Sequence, residues 1–263
     1  MKEGFTSNAA SIRCVNGVWG KIEMKELGAP LYSSAFQGQY AVQDLRVSGS
    51  ENGMAILCLK QAASLLSAAA LEAGLPPLDA DKAFEAVCRL CDLEREALYD
   101  GGMFIARLVL AADSGSLRPA PGENAIFTVK LWYRSAAPAP ELTLEPTVDR
   151  VYGRYVEDPV FFRIGDTVAL PDGGTMCALV SELLRGWNVE ARERRVSTDE
   201  LHKALREGTL REAFYADDID GVGAVTGLYG HTLEQGKLTR KLIDTLKSIE
   251  SGAYPAPGLV TVI

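Results

Sequence analysis

The sequence predicts an α+β chain in two parts: a small N-terminal α/β domain over residues 1–137 and a barrel-like, strand-rich C-terminal domain with helices over residues 138–263. Three observations lead there. The first half orders strand, helix, helix, strand, strand instead of repeating βαβ units. Residues 135–146, SAAPAPELTLEP, make a stiff Pro/Ala linker. Beyond it, short apolar strands alternate with helices marked by N-caps and closing glycines.

Residues 1–37 are rich in Gly, Ser and Asn and read as an irregular arm, with Trp19, Leu31, Tyr32 and Phe36 apolar enough to dock it. Gln39–Val47 is β-branched and aromatic and ends at Ser48-Gly49-Ser50, a strand followed by a turn. Met54–Ala73, dense in Ala and Leu and stopped by Gly74 and Pro76-Pro77, predicts a helix. Asp79 caps a second helix, with Phe84, Val87, Cys88 and Cys91 on one face. Met103–Ala112 and Ala125–Tyr133 predict long strands.

After the linker, Val160–Ile164 and Thr167–Leu170 are strands joined by Gly165-Asp166. Asp172-Gly173-Gly174 leads into a helix from Thr175 to Arg185, and Asn188–Val196 is a strand with a charged face. Ser197 caps the next helix, and Glu200 three residues on predicts a capping box; Gly208 ends it. An acidic loop precedes a strand of small residues, Val222–Tyr229. Leu238, Leu242, Ile243, Leu246 and Ile249 form the apolar stripe of a final helix.

Composition narrows the function classes. The 263 residues are 47% hydrophobic and 24% charged, an ordinary globular balance. A net charge of −8 argues against nucleic acid and anionic membranes as partners and favours a small-molecule ligand. Five irregularly spaced cysteines do not make a disulfide framework. With no apolar leader or spanning stretch, the expected location is the cytoplasm.

Several residues are candidates for chemistry. Gly173, Gly174 and Thr175 open a helix, where free N–H groups and the dipole suit a carboxylate or phosphate; a plain turn and cap explains them equally. Cys177 lies in that first turn, where a thiol pKa can fall, or it is a buried structural cysteine. Asp217, Asp218 and Asp220 could supply an acid/base pair or bind a metal, or form a solvated loop. Cys88 and Cys91 lack the further ligands zinc needs and read as core. His202 reads as part of a solvated helix face, and His231 is a general-base candidate in a loop.

The second half resembles the class IV aminotransferases, the pyridoxal-phosphate proteins of fold type IV that include branched-chain aminotransferases. VFFRIGDTVALPDGG is similar to the strand-turn-strand that leads into the family's phosphate-binding helix. NVEARERRVSTDELHKA, GTLREAF and LTRKLIDTLKSIESG are similar to its strand and capped helix, the segment before its phosphate loop, and its last helix. In the first half GQYAVQDLRVSGS and ILCLKQAASLLSAAALEAGLPPL match more faintly. The resemblance implies fold type IV, a homodimer, and a cleft between the domains.

The sequence departs from the family pattern where the cofactor would be held. No lysine lies between Lys130 and Lys203, so the segment carrying the Schiff-base lysine is missing. Ser64 stands near the family's phosphate arginine, and Arg154 aligns with the glutamate that pairs with the pyridinium nitrogen. Asp217, Asp218 and Ile219 replace the Gly-Thr-Ala phosphate loop. The expectation is a protein with no cofactor and no metal. It would be a pyridoxal-phosphate-independent lyase, isomerase or cyclase acting on a small amino acid or carboxylic acid in secondary metabolism. Asp217, Asp218 and Arg154 are its catalytic candidates, and Gly173, Gly174, Thr175, Arg107 and Tyr40 its substrate or anion contacts. Arg154, Arg163 and Arg107 are the available cations. Arg107 sits one residue beyond Ala106, where the family often has a substrate-facing arginine, so it points to the other strand face. Two alternatives stay open: a catalytically dead paralogue that binds a metabolite or protein, and an aminotransferase in which Lys130 has taken over.

Overall fold

The computed structural model describes residues 5–15, 18–21, 40–50, 53–98, 103–112, 124–134, 138–144 and 159–263. The chain divides into two compact units, Met1–Ala136 with Glu250–Ile263, and Ala137–Ile249.

The first unit is a seven-stranded antiparallel sheet with two helices on it. Its strands are β1 (Phe5–Val15), β2 (Val18–Lys21), β3 (Tyr40–Ser50), β4 (Gly53–Leu57), β5 (Met103–Ala112), β6 (Asn124–Arg134) and the C-terminal β14 (Val260–Val262), in the order β14-β4-β3-β5-β6-β1-β2. The helices are α1 (Leu59–Glu72) and α2 (Ala80–Leu93), followed by the short α3 (Arg95–Leu98). Alternation places Leu45, Val47, Phe104, Leu108, Phe127 and Val129 on one sheet face, where they meet Ala62, Leu66, Val87 and Leu90 of the helices. Asp79 caps α2 as expected, accepting from the Lys82 N–H at 3.1 Å.

Two expectations are corrected here. Part of the supposed irregular arm is β1 and β2, with β1 paired along β6. Its residues 22–37, including Leu31, Tyr32 and Phe36, lie outside the described residues. The helix expected from Met54 starts only at Leu59, because Gly53–Leu57 pairs with β3 and the chain bends at Cys58, in the left-handed region at φ 53°. The chain's end returns to this unit: β14 pairs with β4, and the Ile263 carbonyl accepts from Met54 N–H at 2.9 Å.

The second unit holds β7 (Leu142–Leu144), β8 (Val160–Ile164), β9 (Thr167–Leu170), β10 (Ala191–Glu193), β11 (Leu210–Asp217), β12 (Gly221–Leu228) and β13 (His231–Thr232). The sheet order is β10-β9-β8-β11-β12-β13, with β7 parallel to β12. Its helices are α4 (Thr175–Gly186), α5 (Thr198–Glu207) and α6 (Lys237–Glu250). β8 and β9 meet at the Gly165-Asp166 turn, Gly165 taking φ 61°. The β12–β13 hairpin turns at Tyr229 and Gly230, both at positive φ, the pattern of a type I′ turn. One apolar cluster gathers Val160, Phe162, Ala213, Tyr215, Val225 and Leu201; the Tyr215 hydroxyl donates to the Pro140 carbonyl at 2.6 Å.

Ser197 caps α5, accepting from Glu200 N–H at 3.2 Å. The capping box is only half formed, because the Glu200 carboxylate goes to Arg194 at 2.8 Å. The strand β11 falls where GTLREAF precedes the acidic loop; it pairs with β8 and β12 at the sheet's centre.

Candidate functional site

The geometry centres on the N-terminus of α4. The first four N–H groups of a helix have no partner inside it. Gly174 is the N-cap and offers no side chain to meet them. A residue from beyond the end of β11 does so instead: Asp218 Oδ1 accepts from Met176 N–H at 2.6 Å and from the Thr175 hydroxyl at 2.8 Å. The donors and the acceptor are 43 and 42 residues apart in sequence, so the sheet builds this contact and local pattern does not.

The glycine here serves space, not backbone freedom. Gly174 has φ −73°, accessible to any residue, but a Cβ on it would stand 2.0 Å from Asp218 Oδ2. A Cβ on Gly173 would stand 2.3 Å from Cys177 Sγ. The loop that carries Asp218 is held by its neighbour: Asp217 Oδ1 accepts from Ile219 N–H at 2.8 Å and Asp220 N–H at 2.7 Å. Asp218 thus serves the helix end and Asp217 the loop behind it, each through its Oδ1.

Cys177 resolves to the structural reading. It is buried, and its thiol donates to the Ala216 carbonyl at 3.5 Å. Burial pushes its pKa from the ordinary 9.0 up to about 12, with Asp218 and Asp217 adding to the rise. The fall that a helix N-terminus favours is outweighed by desolvation and two carboxylates.

The remaining candidates are scattered. Arg107 faces Asp44 through two bonds of 2.7 Å and lies 4.5 Å over the Trp132 ring, so its charge is already matched within the first unit's sheet. Tyr40 is exposed on the adjacent β3, opposite Ala111. Arg163 pairs with Glu212 at 3.2 Å. Arg154 lies outside the described residues. His202 is exposed and packs against the Tyr229 ring at 5.0 Å, and His231 is exposed in β13. Cys91 is buried in the first unit's core, with Cys88 half-buried beside it. Among the described residues no group of three or more His, Cys, Asp or Glu side chains is placed to hold a metal.

One residue was missed by sequence reasoning. Glu212, only 3% exposed, accepts from the Thr239 N–H at 2.9 Å and its hydroxyl at 2.8 Å, closing the N-terminus of α6. A Cβ on the preceding Gly236 would stand 2.0 Å from Glu212 Oε2. A lone acid inside the apolar run of β11 was the available signal.

No family model matches the chain. It is 30% identical over 128 residues to branched-chain-amino-acid transaminase 1 of Bacillus subtilis (strain 168), covering 42% of this chain and 36% of that protein. Branched-chain-amino-acid aminotransferase 2 of the same organism is 27% identical over 128 residues, 40% of this chain and 34% of that one. The match thus spans about a third of the length of these relatives. Solved structures agree over far more of the chain. The branched-chain aminotransferase of the thermophilic archaeon Thermoproteus uzoniensis, solved with norvaline, superposes with a TM-score of 0.69 over 96% of this chain and 99% of that one, at 13% identity. The chain has the fold of the branched-chain aminotransferases, fold type IV. An aminotransferase from Brucella abortus bound to PLP has the same fold, with a TM-score of 0.61 and 17% identity over 93% of this chain and all of that one.

For this fold the resemblance implies a phosphate at the helix opened by Gly173-Gly174-Thr175. The residues present do not fit it. The Met176 N–H and Thr175 hydroxyl are taken by Asp218, and Asp218 Oδ2 fills the space that a Cβ on Gly174 would take. Ser64, near the family's phosphate arginine, is exposed on α1 and donates to the Lys60 carbonyl at 3.1 Å.

Proposed function

We propose that this class IV aminotransferase-like protein works without pyridoxal phosphate and acts on a small amino acid or carboxylic acid, as a lyase, isomerase or cyclase. One observation carries the reading: the carboxylate of Asp218 sits on the helix end where the resemblance puts the cofactor's phosphate. A carboxylate cannot share those donors with a second anion without losing its own bonds. Within this reading Asp217 is the acid/base group. Both of its hydrogen bonds from Ile219 and Asp220 fall on Oδ1, which leaves Oδ2 to serve a substrate proton. Asp218 positions the loop, and Arg154 is the proposed cation for the substrate carboxylate.

A second reading has its own support. Asp218, Arg107 and Arg163 are each engaged in contacts within the protein, as expected of a paralogue that has kept its fold and binds a metabolite without turning it over. The resemblance also carries a homodimer, which sedimentation would check, and the proposed cytoplasmic location is open to fractionation. Titration of the purified chain with pyridoxal phosphate tests the main reading. No saturable binding and no new absorbance near the visible edge are expected. Stoichiometric binding abolished in Lys130→Ala would instead establish the relocated-lysine aminotransferase. Turnover of an amino-acid and carboxylic-acid panel, lost in Asp217→Asn, separates the enzyme from the binding protein.

A further inference from the structure

We infer that Asp218 is the specificity-determining residue of this helix end: it is a built-in anion that closes the N-terminus of α4 to phosphate-bearing ligands. This deepens the cofactor-independent reading and rests on it. The disagreement between these residues and a phosphate is one of occupation. Asp218 Oδ1 takes the Met176 N–H and the Thr175 hydroxyl, the donors an incoming phosphate oxygen would need. Its Oδ2 fills the space over Gly174, so that even a methyl group there would collide at 2.0 Å. The turn that carries Asp218 is folded on itself, Asp217 Oδ1 accepting from the N–H groups of Ile219 and Asp220. Asp218 is only partly buried, while the donors beneath it, Thr175 and Met176, are buried, so a phosphate would meet them only in the place of this carboxylate. The ligand class left to the protein is therefore one without a phosphate: a free amino or carboxylic acid, bound elsewhere than on these donors.

Two substitutions separate charge from occupation. Asp218→Ala removes the carboxylate and the volume. Asp218→Asn keeps an acceptor and nearly the same volume while removing the charge. The probe is inorganic phosphate, followed with the full chain by isothermal titration calorimetry and by thermal shift. The wild-type chain is expected to bind none up to the highest soluble concentration, and Asp218→Ala to bind saturably, with at least a tenfold lower half-saturating concentration and a melting temperature that climbs with phosphate. Asp218→Asn is expected to stay closed. Should Asp218→Ala misfold, Asp218→Ser, whose shorter side chain leaves the space over Gly174 open, takes its place. A folded Ala or Ser variant without the tenfold gain overturns the inference, as does a wild-type chain that binds phosphate equally well. An Asn variant as open as the Ala variant overturns the occupation account. Binding of pyridoxal phosphate by the wild type in the separate titration would sink the broader reading; a closed Ala variant would leave that reading standing.

Discussion

Gly174→Ala is the sharpest perturbation of the site, because nothing in the local backbone requires glycine there. At φ −73° an alanine is unstrained, and at an N-cap it would ordinarily cost about 0.5–1.5 kcal/mol relative to glycine. The added methyl, however, meets Asp218 Oδ2 at 2.0 Å and Cγ at 2.8 Å, so the carboxylate must leave. What leaves with it are the bonds of 2.6 Å and 2.8 Å to the helix end. Hydrogen bonds to a charged group contribute about 1.5–3 kcal/mol each when buried, but water replaces part of that at a half-exposed carboxylate, so the pair amounts to about 2–3 kcal/mol. Gly174→Ala is then destabilising by about 3–4 kcal/mol, and Asp218→Ala by about 2–3 kcal/mol. The double variant should be close to Gly174→Ala alone, or milder, since the methyl no longer displaces anything. The coupling is about 2 kcal/mol, well outside the ~0.5 kcal/mol scatter of independent sites. Urea denaturation of the three variants and the wild type measures it. Additive losses, with the double variant falling to the sum of the singles, would refute the claim that Gly174 is glycine on account of Asp218.

Two further outcomes follow from buried groups of the second unit. Glu212→Ala should destabilise by about 3–4 kcal/mol, because it leaves Arg163 without its buried partner and α6 without its cap; Glu212→Gln, still an acceptor for Thr239, should cost about 1–2 kcal/mol. At about 2–4 °C per kcal/mol the two melting temperatures separate cleanly, and equal losses would show that the charge carries the whole effect. For Cys177 the folded state keeps the thiol protonated up to about pH 12 while the unfolded thiol ionises from 9.0, so its contribution is complete below pH 9 and is lost as pH rises through that window. The stability of Cys177→Ala should therefore decline less steeply than that of the wild type above pH 9, and parallel curves would contradict the raised pKa.

How much of this was legible in the sequence depends on where each signal resides. Strands β5 and β6 show in the sequence because their β-branched, aromatic and other apolar residues form long runs bounded by turn-rich segments. The α2 and α5 caps show because Asp79 and Ser197 act on residues three positions away. The strand β1, FTSNAASIRCV, was hidden because its small polar residues lack alternation; its conformation comes from pairing with β6. The strand β4 was hidden for the opposite reason, since GMAIL merges into an equally apolar helix and only the bend at Cys58 parts them. In the site, the glycines and the acidic loop were both visible, and their chemical opposition to a phosphate was readable from charge. That Asp218 fills the helix end was not, because the contact spans 42 residues and depends on the β11–β12 pairing that ends at Asp217 and Gly221.

Glu212 sharpens what Asp218 means. Both are carboxylates from β11 or its end, both close a helix N-terminus, and both stand against a glycine whose Cβ would collide at 2.0 Å. The same device used twice raises the question of whether the second is only a structural cap. Burial separates them. Glu212 is 3% exposed and is held between Thr239 and Arg163, a buried cap on α6. Asp218 is partly open to solvent, and its loop carries a second acid, Asp217, whose Oδ1 is spent on the turn. A helix end sealed by a buried acid is architecture. One sealed by an acid that solvent touches, at a position where the resemblance expects a phosphate, is where the proposed exclusion of phosphate would act.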